Sequence, residues 1–239
     1  MCKHWSNAPP RASAVGQQAI QQGWVAPELA AEFPGLDVYW LTVEARPVKT
    51  PDAVRERMRY LAGRITGATV VQSRQDTVPW SYRVLWRRLG VDPDTDRTPV
   101  EELMVQRLEH GGLPSRGMPI DAIVVATLET GVPVLVADAT KLSGVPGLRP
   151  AAAGESLGGA EGMLRTGEVI YADERGPLAR LNGEVAIDRS VGDDTTAMAI
   201  CALAAAAVSQ IEIDEALWIA ADMLDTAGRL DESNPGRTQ

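Results

Sequence analysis

The stretch from Thr98 to Tyr171 decides the fold. It runs TPVEELMVQRLEHGGLP (98–114), MPIDAIVVATLETG (118–131), VPVLVADATKL (132–142), GLRPAAAGESL (147–157) and GEVIY (167–171). Thr98 is an N-cap residue with Pro99 at the first helical position and Glu101 three residues on, as in a capping box. The predicted helix ends at Gly111-Gly112. IDAIVVATLE is apolar on nearly every face, which predicts a buried helix, and Asp121 near its start suits the helix dipole. After Gly131, PVLVADATKL reads as a strand, followed by a turn over Gly144 to Gly147. LRPAA, GEVIYADE and PLARLNGEVAI alternate between glycines, which predicts antiparallel strands.

Outward from this stretch the punctuation continues. Upstream, Pro34-Gly35 marks a turn before LDVYWLTVEA, whose alternation predicts a first strand. Asp52 to Ile65 is a helix with apolar residues at Val54, Met58, Leu61 and Ile65 and arginines on its other face. Gln72 to Val78 reads as a loop, and PWSYRVLWRRLG as a short amphipathic helix ended by Gly90. Downstream, AMAICALAAAAVS is apolar throughout, so its period does not separate a buried strand from a helix. IDEALWIAADMLDTAG is an amphipathic helix from Asp214 to Gly228. These elements predict one α+β domain with a mixed, largely antiparallel sheet and packed helices over residues 24–228. An N-terminal arm (1–23) and a disordered tail (229–239) flank it.

Composition narrows the function classes. The chain has 239 residues and a formal charge of −9, with 23 Lys and Arg against 32 Asp and Glu. Broad electrostatic capture of nucleic acid is therefore disfavoured, while a local basic patch remains open. Cys2 and Cys201 form no metal motif or disulfide framework. MCKHWSNAPPRAS lacks the apolar core of a signal peptide, and no run is long enough to span a bilayer. The expectation is a cytoplasmic protein without a membrane partner. AGESLGGAEG lacks the strand-to-helix context of a phosphate loop.

Several segments, in order, resemble the B3/B4 domain of the phenylalanyl-tRNA synthetase beta subunit, and more closely free-standing B3/B4 proteins. ELAAEFPGLDVYW is similar to the opening strand. SYRVLWRRLGVDPDTDRTPVEELMVQRLEHGGLP is similar to the tryptophan-arginine helix, its connector and the next helix. MPIDAIVVATLETGVPVLVADATKL matches the family's core, and GLRPAAAGESL and LRTGEVIYAD match two later motifs. The likeness runs from about Glu28 to Gly228. It implies an amino-acid-sized pocket that hydrolyses the ester of a mischarged aminoacyl-tRNA, acting in trans and without a cofactor. The partners implied are tRNA or aminoacyl-tRNA; a homodimer is also compatible. Two positions depart from the family: its core-helix asparagine falls on Val124 and its pocket histidine on Leu135.

The resemblance assigns the candidate site. Asn182, Glu184 and Thr196 are the catalytic candidates, with Asn182 and Glu184 expected on a strand facing the pocket, where either can orient water or bind an α-amino group. Thr127, Leu135, Arg149 and Val124 are the substrate-binding candidates, Arg149 as a carboxylate or phosphate reader. Thr195 shares the pocket edge with Thr196. Glu155 is expected to fix its turn by accepting backbone N–H groups, and Asp138, Glu168 and Asp173 to order turns and strand ends. An alternative starts from His110, expected at a helix end bordering the pocket. A lone histidine does not make a zinc site, but one imidazole in an apolar pocket suffices for haem. Val124 and Leu135 would then be apolar lining, and the ligand a free amino acid or derivative. Otherwise His110 is a helix C-terminal residue suited to the dipole.

Overall fold

The structure is a computed structural model and describes residues 19–158 and 162–232. Residues 1–18 of the expected arm, with Cys2 and His4, lie outside the described residues, as does most of the tail. Among the described residues eight strands divide between two sheets. The first holds β1 (Gln21–Gln22), β3 (Asp37–Glu44), β8 (Ala197–Ala204) and β4 (Val134–Asp138), in that order and antiparallel throughout. The second holds β2 (Trp24–Val25), β5 (Gly147–Pro150), β6 (Val169–Asp173) and β7 (Gly176–Arg180). Only its β2–β5 pair is parallel. The fold is α+β, with the strands read from the sequence shared over two sheets rather than one.

The two sheets are stitched by a single passage of chain. Gln21 and Gln22 pair with Trp40 and Tyr39 in the first sheet, while Trp24 and Val25 pair with Gly147 and Leu148 in the second. Between them the Gly23 N–H donates to the Val38 carbonyl at 2.8 Å. A Cβ at Gly23 would lie 2.2 Å from the Pro146 carbonyl oxygen, so no larger residue fits. The boundary drawn at Gly23 therefore moves to the N-terminal side of Gln21, because these backbone groups complete both sheets.

β8 is one of the two inner strands of the first sheet and pairs with the other, β3, over its whole length. Its alanine-rich sequence follows from being covered on both faces. α6 (Ile120–Thr130) and α7 (Gln210–Glu232) lie against the first sheet on one side, and the second sheet approaches β3 on the other. Small side chains let three layers meet at one strand. The apolar helix α6 buries Ala122, Val125 and Ala126 as its composition predicts.

Three elements differ from the sequence reading. The expected loop at 72–78 is mostly helical: α3 (Gly67–Ser73) and α4 (Thr77–Arg88) are joined by a three-residue link. Reciprocal bonds between Thr66 and Thr69 cap α3, offsetting the poor helix propensity of Gly67 and its β-branched residues. α7 begins before Asp214, at a capping box in which the Ser209 N–H donates to Glu212 and the Glu212 N–H to the Ser209 hydroxyl. It also runs through Gly228 to Glu232, since burial of Ile213, Leu217, Ala220, Leu224 and Ala227 outweighs the cost of one glycine. The third difference is at Asp121. Its carboxylate is wholly buried and accepts from the Thr50 hydroxyl at 2.6 Å, the Ser115 hydroxyl and the Arg116 N–H. It ties three segments together rather than simply facing a helix dipole.

Candidate functional site

Two helices and a hairpin frame the site. α5 (Pro99–His110) follows α4 through the connector VDPDTDRT (91–98), and a buried ionic cluster holds that connector in place. Arg83 bonds Glu101 at 2.5 Å and Asp94 at 2.6 Å, and Arg74 lies 3.1 Å from Glu101. The Arg83 and Glu101 side chains are 4% and 1% exposed. The Thr98 hydroxyl donates to Glu101 at 3.1 Å instead of accepting from the helix N-terminus, so the expected capping box gives way to this cluster. A buried carboxylate gains more from two guanidiniums than from a backbone N–H.

With the connector fixed, a cavity of about 560 Å³ opens between it and the β6–β7 hairpin. That volume is in the range of small-molecule sites. Trp86, Leu89 and Val169 give it apolar wall; Arg97, Arg165 and Arg180 bring positive charge, Asp96, Glu102 and Glu168 negative. Arg180 is the hub: it lies 3.2 Å from Glu168 and 3.0 Å from Glu184, and donates to the Met163 carbonyl at 2.7 Å. Arg97 pairs with Glu102 at 3.2 Å. The wall is thus charge-balanced, which suits a ligand carrying both signs.

The candidates from the sequence separate in space. Asn182 stands in the cavity wall, and Glu184 reaches its Arg180. Neither lies on a strand: both belong to the turn after β7, where the Asn182 side-chain oxygen accepts from the Glu184 N–H at 3.0 Å. Thr196 is exposed at the start of β8, and its carbonyl accepts from the Ala45 N–H, away from the cavity. Its neighbour Thr195 is buried and donates to Asp138 at 2.6 Å, a structural bond. Thr127 and Val124 lie on α6, outside this wall. Leu135 is buried beside Cys201 in the register of the first sheet. Burial pushes the Cys201 thiol up to about 12, and Leu135 beside it belongs to the same apolar core.

Arg149 is engaged rather than open. Its guanidinium forms two bonds to Glu155, at 2.7 and 2.6 Å, and bonds the Pro150 carbonyl. The Arg149 hydrogen bonds, helped by the Ala152 N–H, hold the Glu155 carboxyl below the ordinary carboxylate value against the effect of burial. This pair fixes the turn, as expected of Glu155, and occupies both terminal nitrogens of Arg149. His110 ends α5 with its Nδ1 2.7 Å from the Gln106 carbonyl, exposed and absent from the cavity wall. A haem on this imidazole would sit at the surface, without the apolar enclosure that reading needs. The helix-end role fits the geometry.

Sequence reasoning missed Arg97, Arg165 and Arg180. Their signal was present in an acidic chain: each arginine stands three to five residues from the glutamate it pairs with. Among the described residues no helix is long and apolar enough to cross a membrane, and no group of three His, Cys, Asp or Glu is placed to hold a metal ion.

Comparison with known proteins bears on the same segment. Over 92 residues the chain is 32% identical to the phenylalanine–tRNA ligase beta subunit of Streptomyces avermitilis, a match covering 37% of this chain and 11% of that subunit. The chain therefore spans only a small part of that relative. The B3/4 domain family model matches residues 82–217, more than half of the chain, and every residue of the cavity wall falls inside that range. The protein belongs to the B3/4 domain family.

Proposed function

We propose that this chain is a trans-acting hydrolase of mischarged aminoacyl-tRNA, with the cavity between the α4–α5 connector and the β6–β7 hairpin receiving the aminoacyl end. The observation that carries the reading is a cavity wall that joins Asn182, Arg180 and Glu168, with Glu184 bonded to that Arg180, all within the segment shared with the family. The beta-subunit relative supports a tRNA-related substrate.

In this reading Glu184 accepts a proton from water as that water attacks the ester carbonyl. Arg97, whose single ion pair among the described residues is to Glu102, supplies the positive charge for the developing oxyanion. Arg180 holds Glu184 in place, and the Asn182 amide orients the carbonyl or the α-ammonium. The bond from the carbonyl carbon to the ribose oxygen breaks, and the ribose hydroxyl takes the proton. Trp86 and Leu89 supply the apolar surface against the amino-acid side chain. Deacylation of a panel of mischarged tRNAs tests this. Turnover on at least one member is expected, with Glu184→Gln lowering kcat by about 10²-fold or more. No turnover above background across the panel rejects it.

The charge balance of the wall favours a second reading, in which a free amino acid or derivative is the ligand. Salt-dependent binding of uncharged tRNA separates the two, since only the first predicts it.

A further inference from the structure

α4 has two working sides. Trp86 and Leu89 face the cavity described above, whereas Trp80, Val84, Leu85 and Arg88 line a separate hollow of about 250 Å³ with Phe33, Pro34 and the turn Ala205–Ala207. The hollow is largely apolar, yet Trp80 remains 47% exposed at its edge. Two guanidiniums are stacked on its aromatic rings, Arg87 at 5.4 Å from the Trp80 ring centre and Arg88 at 5.0 Å from that of Phe33. Arg88 also donates to the Glu32 carbonyl. Among the described residues neither arginine has a carboxylate within ion-pair distance. Asp94 senses Arg87 but is bound by Arg83 and Arg74. The arginines of the cavity wall, by contrast, are all paired with acids.

We infer that this side of α4 docks a single-stranded nucleic-acid end, one base stacking on Trp80 and the adjoining phosphates meeting Arg87 and Arg88. Aromatic faces with unneutralised guanidiniums beside them are the elements by which proteins hold unpaired nucleotides. The apolar hollow takes a ring, and the paired guanidiniums complement a phosphate diester better than a lone carboxylate. Position supports the same occupant. Trp80 and Leu89 are nine residues apart on one helix and its cap, a rise of about 13 Å, so a strand held at Trp80 leads along the helix toward the cavity at Leu89. The inference rests on the tRNA reading for the identity of the strand and extends it with the surface that grips it.

The test is binding of a short labelled single-stranded RNA to the full chain, with the matching duplex and a peptide with a free C-terminal carboxylate as competitors. Trp80→Ala is expected to weaken binding by about tenfold and Trp80→Phe much less. Arg87→Ala with Arg88→Ala should lower the salt slope by about 1.4, at about 0.7 for each lost phosphate contact. Thermal melts check folding, and Trp80→Phe keeps the comparison valid if the alanine variant unfolds. Unchanged affinity and slope in these variants overturns the inference, as does preference for duplex or displacement by the peptide alone. Hydrolysis separates the two proposals. RNA binding that depends on Trp80 without deacylation keeps the dock and rejects the hydrolase. Deacylation with unaltered KM in the variants keeps the hydrolase and rejects the dock.

Discussion

Asp173 and Arg189 face each other with side chains 0% and 3% exposed, and their two bonds measure 2.6 and 3.0 Å. Burial alone would push the Asp173 carboxyl up; the Arg189 guanidinium and the Ser143 and Arg175 N–H groups outweigh it and hold the carboxyl below 3.8. Asp138 is depressed in the same way, burial being offset by the Thr195 and Thr140 hydroxyls, the Thr140 N–H and Lys141. A depressed carboxylate contributes stability that is complete above its unfolded pKa and is lost as pH falls through the folded value. Melting temperature is therefore expected to be flat from pH 7 to about 5 as far as these groups decide it, and to fall below about pH 4. Arg189→Met strands a buried carboxylate, costs about 3 kcal/mol or more at neutral pH, and moves the acid limb to higher pH. Urea unfolding across pH checks both. An acid limb that does not move would mean that Arg189 is not what holds Asp173 ionised. At His110 the expected result is the opposite: His110→Ala leaves stability within about 0.5 kcal/mol, and added haemin gives no Soret band that depends on this residue. Residue identity was legible where chemistry is local, as at Glu155 with its own turn. It was not legible at Arg149, whose charge is used up by a partner six positions away.

At the scale of elements, caps and clusters decide what the hydrophobic period leaves open. Ser209→Ala removes one half of the α7 capping box and should cost about 1 kcal/mol, measurable by chemical denaturation. An unchanged midpoint would mean that the helix start rests on packing alone. Glu101→Gln leaves the buried Arg83 with Asp94 as its remaining carboxylate and should cost about 2 kcal/mol. Because that cluster sets the connector lining the cavity, ligand affinity should fall along with stability. Helices α5 and α6 were readable because their apolar residues and glycine stops agree, and the helix Asp52–Arg64 from the spacing of Val54, Met58 and Leu61. α3 was not, since β-branched residues and Gly67 weaken its local preference and its caps are threonines rather than the usual capping box. β8 was ambiguous for a different reason: a strand covered on both faces has no alternation to read.

For the whole molecule the joint between sheets is the sensitive point. Gly23→Ala must displace both Pro146 and Val38, and a loss of about 2 kcal/mol or more is expected, as for overpacking in a core, again read from chemical denaturation. A wild-type midpoint would show that the passage between sheets is loose. The cavity depends on this joint only indirectly, since its wall comes from the α4–α5 connector and the β6–β7 hairpin. Sequence alone determined the α+β class, most helices, the hairpin strands and the membership that ordered motifs imply, because these rest on local period, turn chemistry and segment order. Tertiary structure decided which candidates meet. It brought Asn182 to a cavity with Arg180, set Glu184 against that arginine, sent Leu135 into the core, and left Thr196 and His110 outside. Those outcomes depend on long-range packing, which has no signature in the spacing of residues along the chain.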